Sequence, residues 1–409
     1  MNDYYQCISC NSRYETSEMM YTCTKCNDLL EVRYDYEKIA TIIDTKLWRS
    51  RNFSAWRYRE LLPISPETRI ISLGEGGTGL HRSEHLAADL KVNTLSVKFE
   101  GENPTGSFKD RGMTVSISKA IEVHAKMVAC ASTGNTSASL AAYAARAGLR
   151  CIVLVPADKI AQGKLAQAIA HGAMILEIEG NFDDAFKAVI DLTERNRSIA
   201  LLNSVNPFRI EGQKTLAFEV CDQMNFKSPD VLIVPVGNAG NISSIWKGLD
   251  ELRRLGVIDK TPRLVGIQAE GASPIASAYK LKSATIQPVK NPETIATAIR
   301  IGAPASWKKA LRAIAESGGA METTSDAEIL QAQKELARRE GIFVEPAGAS
   351  SIAGLRKLLE QGSIEKDEEI VCVATGHGLK DPEIVTKIGE KPTRTKSDRE
   401  SIERALGLR

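Results

Sequence analysis

From Leu95 onward the chain repeats one pattern, a run of four to six mostly apolar residues followed by a helix-length stretch with apolar positions three or four apart. The runs are 95–99 (LSVKF), 127–131 (MVACA), 151–155 (CIVLV), 174–178 (MILEI), 199–202 (IALL), 231–236 (VLIVPV), 264–268 (LVGIQ) and 370–374 (IVCVA). Strands this apolar are expected to be buried on both faces. Segments such as 137–147 (SASLAAYAARA) and 326–339 (DAEILQAQKELARR) predict the intervening helices. Strand–helix alternation implies parallel sheets covered by helices. Eight such strands exceed one mononucleotide-binding half, which predicts two α/β domains with a cleft between them.

The first 60 positions follow a different rule, for they hold ten of the 22 aromatic residues, and this shift predicts a separate small module. Within it Cys7 and Cys10, then Cys23 and Cys26, form two CxxC pairs with twelve residues between them. Four thiolates at that spacing suit the tetrahedral preference of Zn²⁺, and a closed four-sulfur shell leaves no open position for water or substrate, so the role read here is structural. A module this small has little core, and metal would supply folding energy. A redox pair of CxxC motifs lacks a thioredoxin-like setting. A nucleic-acid ribbon lacks a clustered basic face beyond Arg49, Arg51, Arg57 and Arg59. Cys130, Cys151, Cys221 and Cys372 lie singly in apolar runs and read as small core residues.

Composition narrows the class. A chain of 409 residues with 43% apolar and 25% charged side chains suits two or three globular domains. Lys and Arg number 53 against 51 Asp and Glu, so no overall field recruits nucleic acid or a membrane surface. No 18-residue apolar run occurs, and Met1-Asn2-Asp3-Tyr4-Tyr5 lacks the form of a signal peptide, so a cytoplasmic protein with reduced thiols is expected. The charged segment 391–409 reads as a surface helix or frayed tail.

Candidate chemistry sits where strands end. Residues 102–113 (ENPTGSFKDRGM) follow one apolar run and open a helix, which places Lys109 at a strand-to-helix junction in the cleft rather than on a solvated face. Ser107 reads as the cap of that helix. Ser132-Thr133-Gly134-Asn135-Thr136 opens the next helix and offers hydroxyls, an amide and backbone N–H groups to an anion or ring oxygen. Gly237-Asn238-Ala239-Gly240-Asn241 is a Gly-rich turn able to cradle a phosphate, although such turns also serve packing. Thr375-Gly376-His377-Gly378 ends the last run. A lysine able to form a Schiff base, together with a phosphate-binding turn, points to pyridoxal 5'-phosphate.

The strings NPTGSFKDRGM (103–113), STGNTSAS (132–139), NSVNPFRIEGQKT (203–215), PVGNAGN (235–241), ETIATAIRIG (293–302), EPAGASSIAG (345–354) and TGHGLKDP (375–382) resemble, in order, the threonine synthases, a fold-type II pyridoxal-phosphate enzyme family. The resemblance covers roughly residues 70–385. It implies an α/β, tryptophan synthase β-like fold of two domains, parallel-rich sheets covered by helices, behind the zinc-ribbon-like module of residues 1–35. The large domain is expected from residues 36–101 with 205–409 and the small one from 102–204. By similarity Lys109 holds the cofactor and shuttles protons at Cα and Cβ, Asn135 bonds the ring oxygen, Gly237, Asn238, Ala239, Gly240 and Asn241 hold the cofactor phosphate, and Thr375 faces the pyridine nitrogen. The implied substrate is O-phospho-L-homoserine, its phosphate matched to Ser132, Thr136, Asn203, Ser204 and Arg209. Lys214 reads as a helix-surface lysine, His377 as part of a turn beneath the cofactor, and His81, His85, His124 and His171 as surface residues without carboxylate or thiol partners. A homodimer is implied.

The string LGEGGTGL (73–80) departs from the family in carrying Gly79 where proline is common, and Ala303 stands where asparagine is usual. The neighbouring readings are a cysteate synthase and a threonine or serine dehydratase, which commonly has an all-glycine phosphate loop. A further one is a non-catalytic binding protein that keeps the fold, which the retention of Lys109, Asn135, Thr375 and the whole phosphate turn disfavours.

Overall fold

The computed structural model describes residues 3–157, 162–180, 182–388 and 392–408. Met1, Asn2, residues 158–161 and 181 within the expected small domain, and residues 389–391 and 409 lie outside the described residues. Each of the eight apolar runs is a strand. Three sheets form. The first is antiparallel, ordered β2-β1-β3, from β1 (Tyr4–Cys7), β2 (Arg13–Glu15) and β3 (Leu30–Arg33). The others are built from β4 (Leu80–Arg82), β5 (Thr94–Phe99), β6 (Met127–Ala131), β7 (Arg150–Pro156), β8 (Met174–Ile178), β9 (Ile199–Leu201), β10 (Val231–Pro235), β11 (Arg263–Ala269), β12 (Ala320–Thr324) and β13 (Glu369–Ala374). They are a six-stranded sheet, β12-β11-β10-β13-β5-β4, and a four-stranded sheet, β8-β7-β6-β9, parallel throughout except for the β4–β5 pair.

This order positions the site. In the larger sheet β10, β13 and β5 are neighbours, so the turns leaving their carboxyl ends, at 237–241, 375–378 and 102–109, start side by side. In the smaller sheet β6 and β9 are neighbours, which brings the turn at 132–136 beside the segment 202–209. Open α/β sheets bind ligands at such carboxyl edges because the strand order reverses there and leaves a crevice.

Helix boundaries follow local chemistry. Helix Asn135–Ala147 stops at Gly148, which takes the left-handed conformation at φ 73°. Helix Asp326–Glu340 starts in a capping box between Ser325 and Glu328 and stops at Gly341, φ 68°.

Two expectations change. β8 is the edge strand of its sheet, and Met174 and Leu176 are exposed on one face, so its apolar residues are not buried on both faces. The amino-terminal module has its own sheet, but its side chains do not pack apart from the larger domain. Tyr5, Val32, Tyr34, Trp48 and Tyr58 pack into one core with Phe208, Phe218, Leu232, Ile242 and Ile245, and this explains its aromatic content: these rings cover one face of the larger domain. β4 and β12 carry too few apolar residues to have been read as strands, and both are edges of the six-stranded sheet. Helix Arg399–Ala405 buries none of its residues and is a surface helix. Among the described residues no helix is long and apolar enough to cross a membrane.

Candidate active site

Lys109 is the first residue of helix Lys109–Glu122, directly after the turn that leaves β5. Phe108 is the residue at the helix entrance, and no side chain caps it; Ser107 instead bridges through its backbone to Gly376, while its buried Oγ has no partner. Asp110 turns back on the loop, accepting from Thr105 N (2.7 Å) and Oγ1 (2.6 Å) and from Ser139 Oγ (2.5 Å). Burial pushes its pKa up to about 6 against the pull of those bonds. Lys109 keeps some accessible surface although protein surrounds it, the condition of a side chain facing an internal cleft. Burial first, and the positive charge of Arg209 second, lower its pKa to about 7, with Glu345 pulling the other way. A lysine so tuned is a nucleophile and base near neutral pH.

Asn135 and Thr375 meet on a residue that sequence reasoning missed. Asn135 Nδ2 donates to Glu345 Oε2 (2.9 Å) and Thr375 Oγ1 to Glu345 Oε1 (3.3 Å). Glu345 precedes Pro346 at the start of helix Pro346–Glu360; that Glu-Pro pair was the available signal, since an acid ahead of a proline-opened helix faces the helix entrance. Burial raises its pKa, opposed by the Asn135 bond and by Lys380. Lys380 ties the same corner together, donating to Thr105 O (2.9 Å) and to Gln167. His377 packs against the rings of Phe99 (5.9 Å) and Phe343 (5.7 Å), and its Nδ1 accepts from Leu379 N (3.1 Å). Burial lowers its pKa.

The turn at 237–241 has the features of an anion cradle. A Cβ on Gly237 would lie 2.9 Å from Ile299 Cα, so only glycine lets the loop pack there. Ala239 takes φ 65° and opens the 15-residue helix Gly240–Arg254 with no side-chain cap, so its first N–H groups keep the positive end of the helix dipole available. Both side-chain polar atoms of Asn241 are buried without a partner. Asn238 reaches the other way, donating to Ser204 Oγ, and so joins this turn to the segment after β9. These orphaned donors and the tuned lysine fit pyridoxal phosphate.

The second anion position stands out by its charge. Arg111 and Lys98 are fully buried with Glu100 and Glu219, Arg111 lying 2.6 Å from Glu100 and 2.7 Å from Glu219 and Lys98 2.9 Å from Glu219, two cations for two acids. Lys214 is buried too, not on a helix surface as expected: it lies 2.6 Å from Glu211 and 2.7 Å from Glu251, with Lys247 completing a second two-against-two set. The helix period could not reveal those partners, since Lys247 and Glu251 come from a different helix. Arg209 is different. It is 2% exposed, and among the described residues no carboxylate faces it, its Nε has no partner, and its one hydrogen bond is a 3.4 Å contact from Nη1 to Leu202 O. Burial lowers its pKa to about 10. An unpaired buried charge costs several kcal/mol, which an arriving anion offsets. Asn203 and Ser132 line the same strand ends: Asn203 exchanges two bonds with Ala131 (3.0 and 2.9 Å), and Ser132 Oγ accepts from Gly134 N (3.2 Å). Thr136 is half-buried in the first turn of helix Asn135–Ala147.

Cys7, Cys10, Cys23 and Cys26 bring their sulfurs within 4.8 Å of one another, with separations of 3.4 Å for Cys7–Cys26 and 3.5 Å for Cys10–Cys23. Tetrahedral zinc thiolate, with bonds of about 2.3 Å, sets sulfurs roughly 3.8 Å apart, so the cluster fits the ion. Cys130, Cys151, Cys221 and Cys372 are buried, and burial raises the pKa of each thiol. His85, His124 and His171 are exposed, but His81 does have a carboxylate partner, Glu102, at 2.6 Å. Glu102 also accepts from the N–H of Gly79, a bond that proline at this position would lack.

Comparison with known proteins completes the description. The family model described as "Pyridoxal-phosphate dependent enzyme" matches residues 71–376. A threonine synthase of Methanocaldococcus jannaschii is 56% identical over 401 residues, covering 98% of each chain. One of Methanosarcina acetivorans is 52% identical with the same coverage, and one of Halalkalibacterium halodurans is 53% identical over 334 residues, 80% of this chain and 91% of that one. Among solved structures, threonine deaminase isoform 2 of Solanum lycopersicum aligns with a TM-score of 0.64 at 22% identity, covering 76% of this chain and 88% of that one. Maize serine racemase aligns with a TM-score of 0.63 at 20% identity, covering 76% of this chain and 91% of that one. These two share the fold.

Proposed function

The chain belongs to the pyridoxal-phosphate dependent enzymes and, within them, to the threonine synthases, and on that premise we propose how its residues convert O-phospho-L-homoserine and water to L-threonine and phosphate. The observation that carries the proposal is the contrast in charge: two buried ionic sets are balanced, whereas among the described residues Lys109 makes no ion pair and Arg209 faces no acid.

Lys109 would hold pyridoxal phosphate, which would supply an electron sink for negative charge that develops on substrate carbons. Asn135 and Thr375, both bonded to Glu345, would hold its ring. Residues Gly237, Asn238, Ala239, Gly240 and Asn241 would hold its phosphate through backbone N–H groups and the free amide of Asn241. Lys109, neutral near its lowered pKa, takes and returns protons at the substrate Cα and Cβ. Arg209, with Ser132, Thr136, Asn203 and Ser204, grips the substrate phosphate, which positions the leaving group at Cγ and neutralises its charge as the bond breaks.

We read Zn²⁺ on Cys7, Cys10, Cys23 and Cys26 as structural, because four sulfurs close the shell. The three separate sheets support the division into residues 1–35, 36–101 with 205–409, and 102–204. A homodimer and a cytoplasmic location complete the reading; they rest on the family resemblance and on the biosynthetic reaction.

A phosphate-release assay tests the function. Phosphohomoserine should release phosphate and yield threonine, and phosphoserine with sulfite should not. Turnover only with the second pair, or a purified protein that stays colourless when pyridoxal phosphate is added, overturns the assignment.

A further inference from the structure

The reaction leaves the amino-terminal module without a task; some of its contacts go to Lys247, Lys308, Lys309 and Arg312, but another set falls on one stretch of chain. Residues 197–211 run from two residues before β9 into helix Pro207–Gln213 and carry Asn203, Ser204 and Arg209. The N–H of Leu201 donates to Tyr21 Oη at 2.7 Å. β9 pairs with β6 on one side and is the edge of its sheet on the other, so Tyr21 satisfies a backbone donor that the sheet leaves free. Tyr34 Oη donates to Glu211 Oε2 at 2.6 Å, two residues beyond Arg209. Between these pins the ring of Tyr5 lies 5.6 Å from that of Phe208, and Met19 Sδ accepts a long bond, 3.8 Å, from Asn206 Nδ2. Glu18 pairs with Arg197 at 2.9 Å on the exposed end of the stretch.

This arrangement supplies something Arg209 lacks. Lys98, Arg111 and Lys214 are held by their own ion pairs. Among the described residues Arg209 has no carboxylate to hold it, so its placement depends on the backbone that carries it. That stretch is held at the Leu201 backbone by Tyr21 and at the Glu211 side chain by Tyr34, together with Lys214 and Lys247, the two tyrosines coming from outside the catalytic sheets. Tyr21 sits two residues before Cys23, and Tyr14 Oη contacts Cys23 Sγ at 3.1 Å, so the fold of the cysteine module sets where the pins stand.

We propose that Tyr21 and Tyr34 are positioning residues for substrate-phosphate recognition, the module serving as a brace that holds Leu201–Glu211 in the shape in which Asn203, Ser204 and Arg209 receive the anion. The inference rests on the phosphate role given to that segment above. A pre-shaped site avoids the ordering cost that a loose one meets on binding.

The test uses the holoenzyme with Tyr21→Phe and Tyr34→Phe, which keep ring packing and remove one hydrogen bond each. Tyr58→Phe is the control, since Tyr58 makes a comparable buried bond, 2.9 Å to Asp222, outside the stretch. KM for phosphohomoserine and the inhibition constant of inorganic phosphate should rise about three- to tenfold in the first two variants, the size of one lost hydrogen bond, with kcat within about twofold. Cofactor absorbance should not change, and Tyr58→Phe should shift neither constant. Unchanged constants in both test variants, or an equal rise in the control, overturn the brace. Arg209→Ala is measured alongside. If it weakens phosphate inhibition while the tyrosine variants do not, the brace alone fails. If it too has no effect, the phosphate reading fails and the brace with it.

Discussion

Asn135 donates through Nδ2 to Glu345 at 2.9 Å, across 210 residues of sequence, and this bond joins the first turn of a helix on the smaller sheet to the entrance of a helix on the larger one. Both residues are buried, and Thr375 meets the other oxygen of the same carboxylate. Burial favours the uncharged form of Glu345. Glu345→Gln, a neutral group of the same shape, should therefore keep cofactor affinity within a few-fold, and Glu345→Ala, which leaves two buried polar groups unpaired, should weaken it by about tenfold or more. Titration of the apoenzyme with pyridoxal phosphate, followed by absorbance, reads both; equal affinities would show that the carboxylate does not orient Asn135 and Thr375.

Lys109→Ala should abolish turnover and the absorbance band of the bound cofactor while leaving the melting temperature of the cofactor-free protein the same or higher, because the change removes a half-buried charge and no ion pair. Retention of normal activity would contradict the assignment.

The pH behaviour of Lys109 has a definite sign. Its folded pKa of about 7 lies below the ordinary 10.5, so the native state disfavours the proton that the unfolded chain still binds. The penalty is fully present below pH 7 and fades as pH rises toward 10.5. Stability of the cofactor-free protein, measured by urea unfolding, should therefore rise over that window relative to Lys109→Met. Capture of pyridoxal phosphate should accelerate with a midpoint near pH 7, and a midpoint near 10 would show that the amine is not tuned.

Arg209→Met should separate stability from function. Replacing an unpaired buried guanidinium by an apolar chain of similar length is expected to hold or raise stability, by up to about 1–2 kcal/mol, while KM for the phosphorylated substrate rises by about tenfold or more. Calorimetry and steady-state kinetics on the same preparation check the pair; a destabilised protein with normal KM would mean that Arg209 serves the core.

Zinc analysis should find about one ion per chain. Cys26→Ser, or treatment with a strong chelator, should release it and lower the melting temperature, because tertiary contacts of Tyr5, Val32 and Tyr34 support the module but do not replace the metal. A zinc-free protein with an unchanged melting curve would remove the ion from the account.

Periodicity and motif order by themselves determined much of this protein. The eight apolar runs are strands because parallel strands covered by helices must be apolar along their length, a property that composition carries locally. The four strand-end turns and the paired CxxC motifs were legible for the same reason: a tight turn, an anion cradle or a thiolate knuckle depends on residues close in sequence. Tertiary structure decided what depends on partners far apart in the chain. Lys214 reads as a surface lysine until Lys247 and Glu251 are seen beside it, and Glu345 joins the site through Asn135 and Thr375, which lie 210 and 30 residues away. That Arg209 is buried without an acid, and held in place by tyrosines of the cysteine module, is likewise a property of packing. Charge balance inside a core is a sum over neighbours in space, and no local pattern in the chain records it.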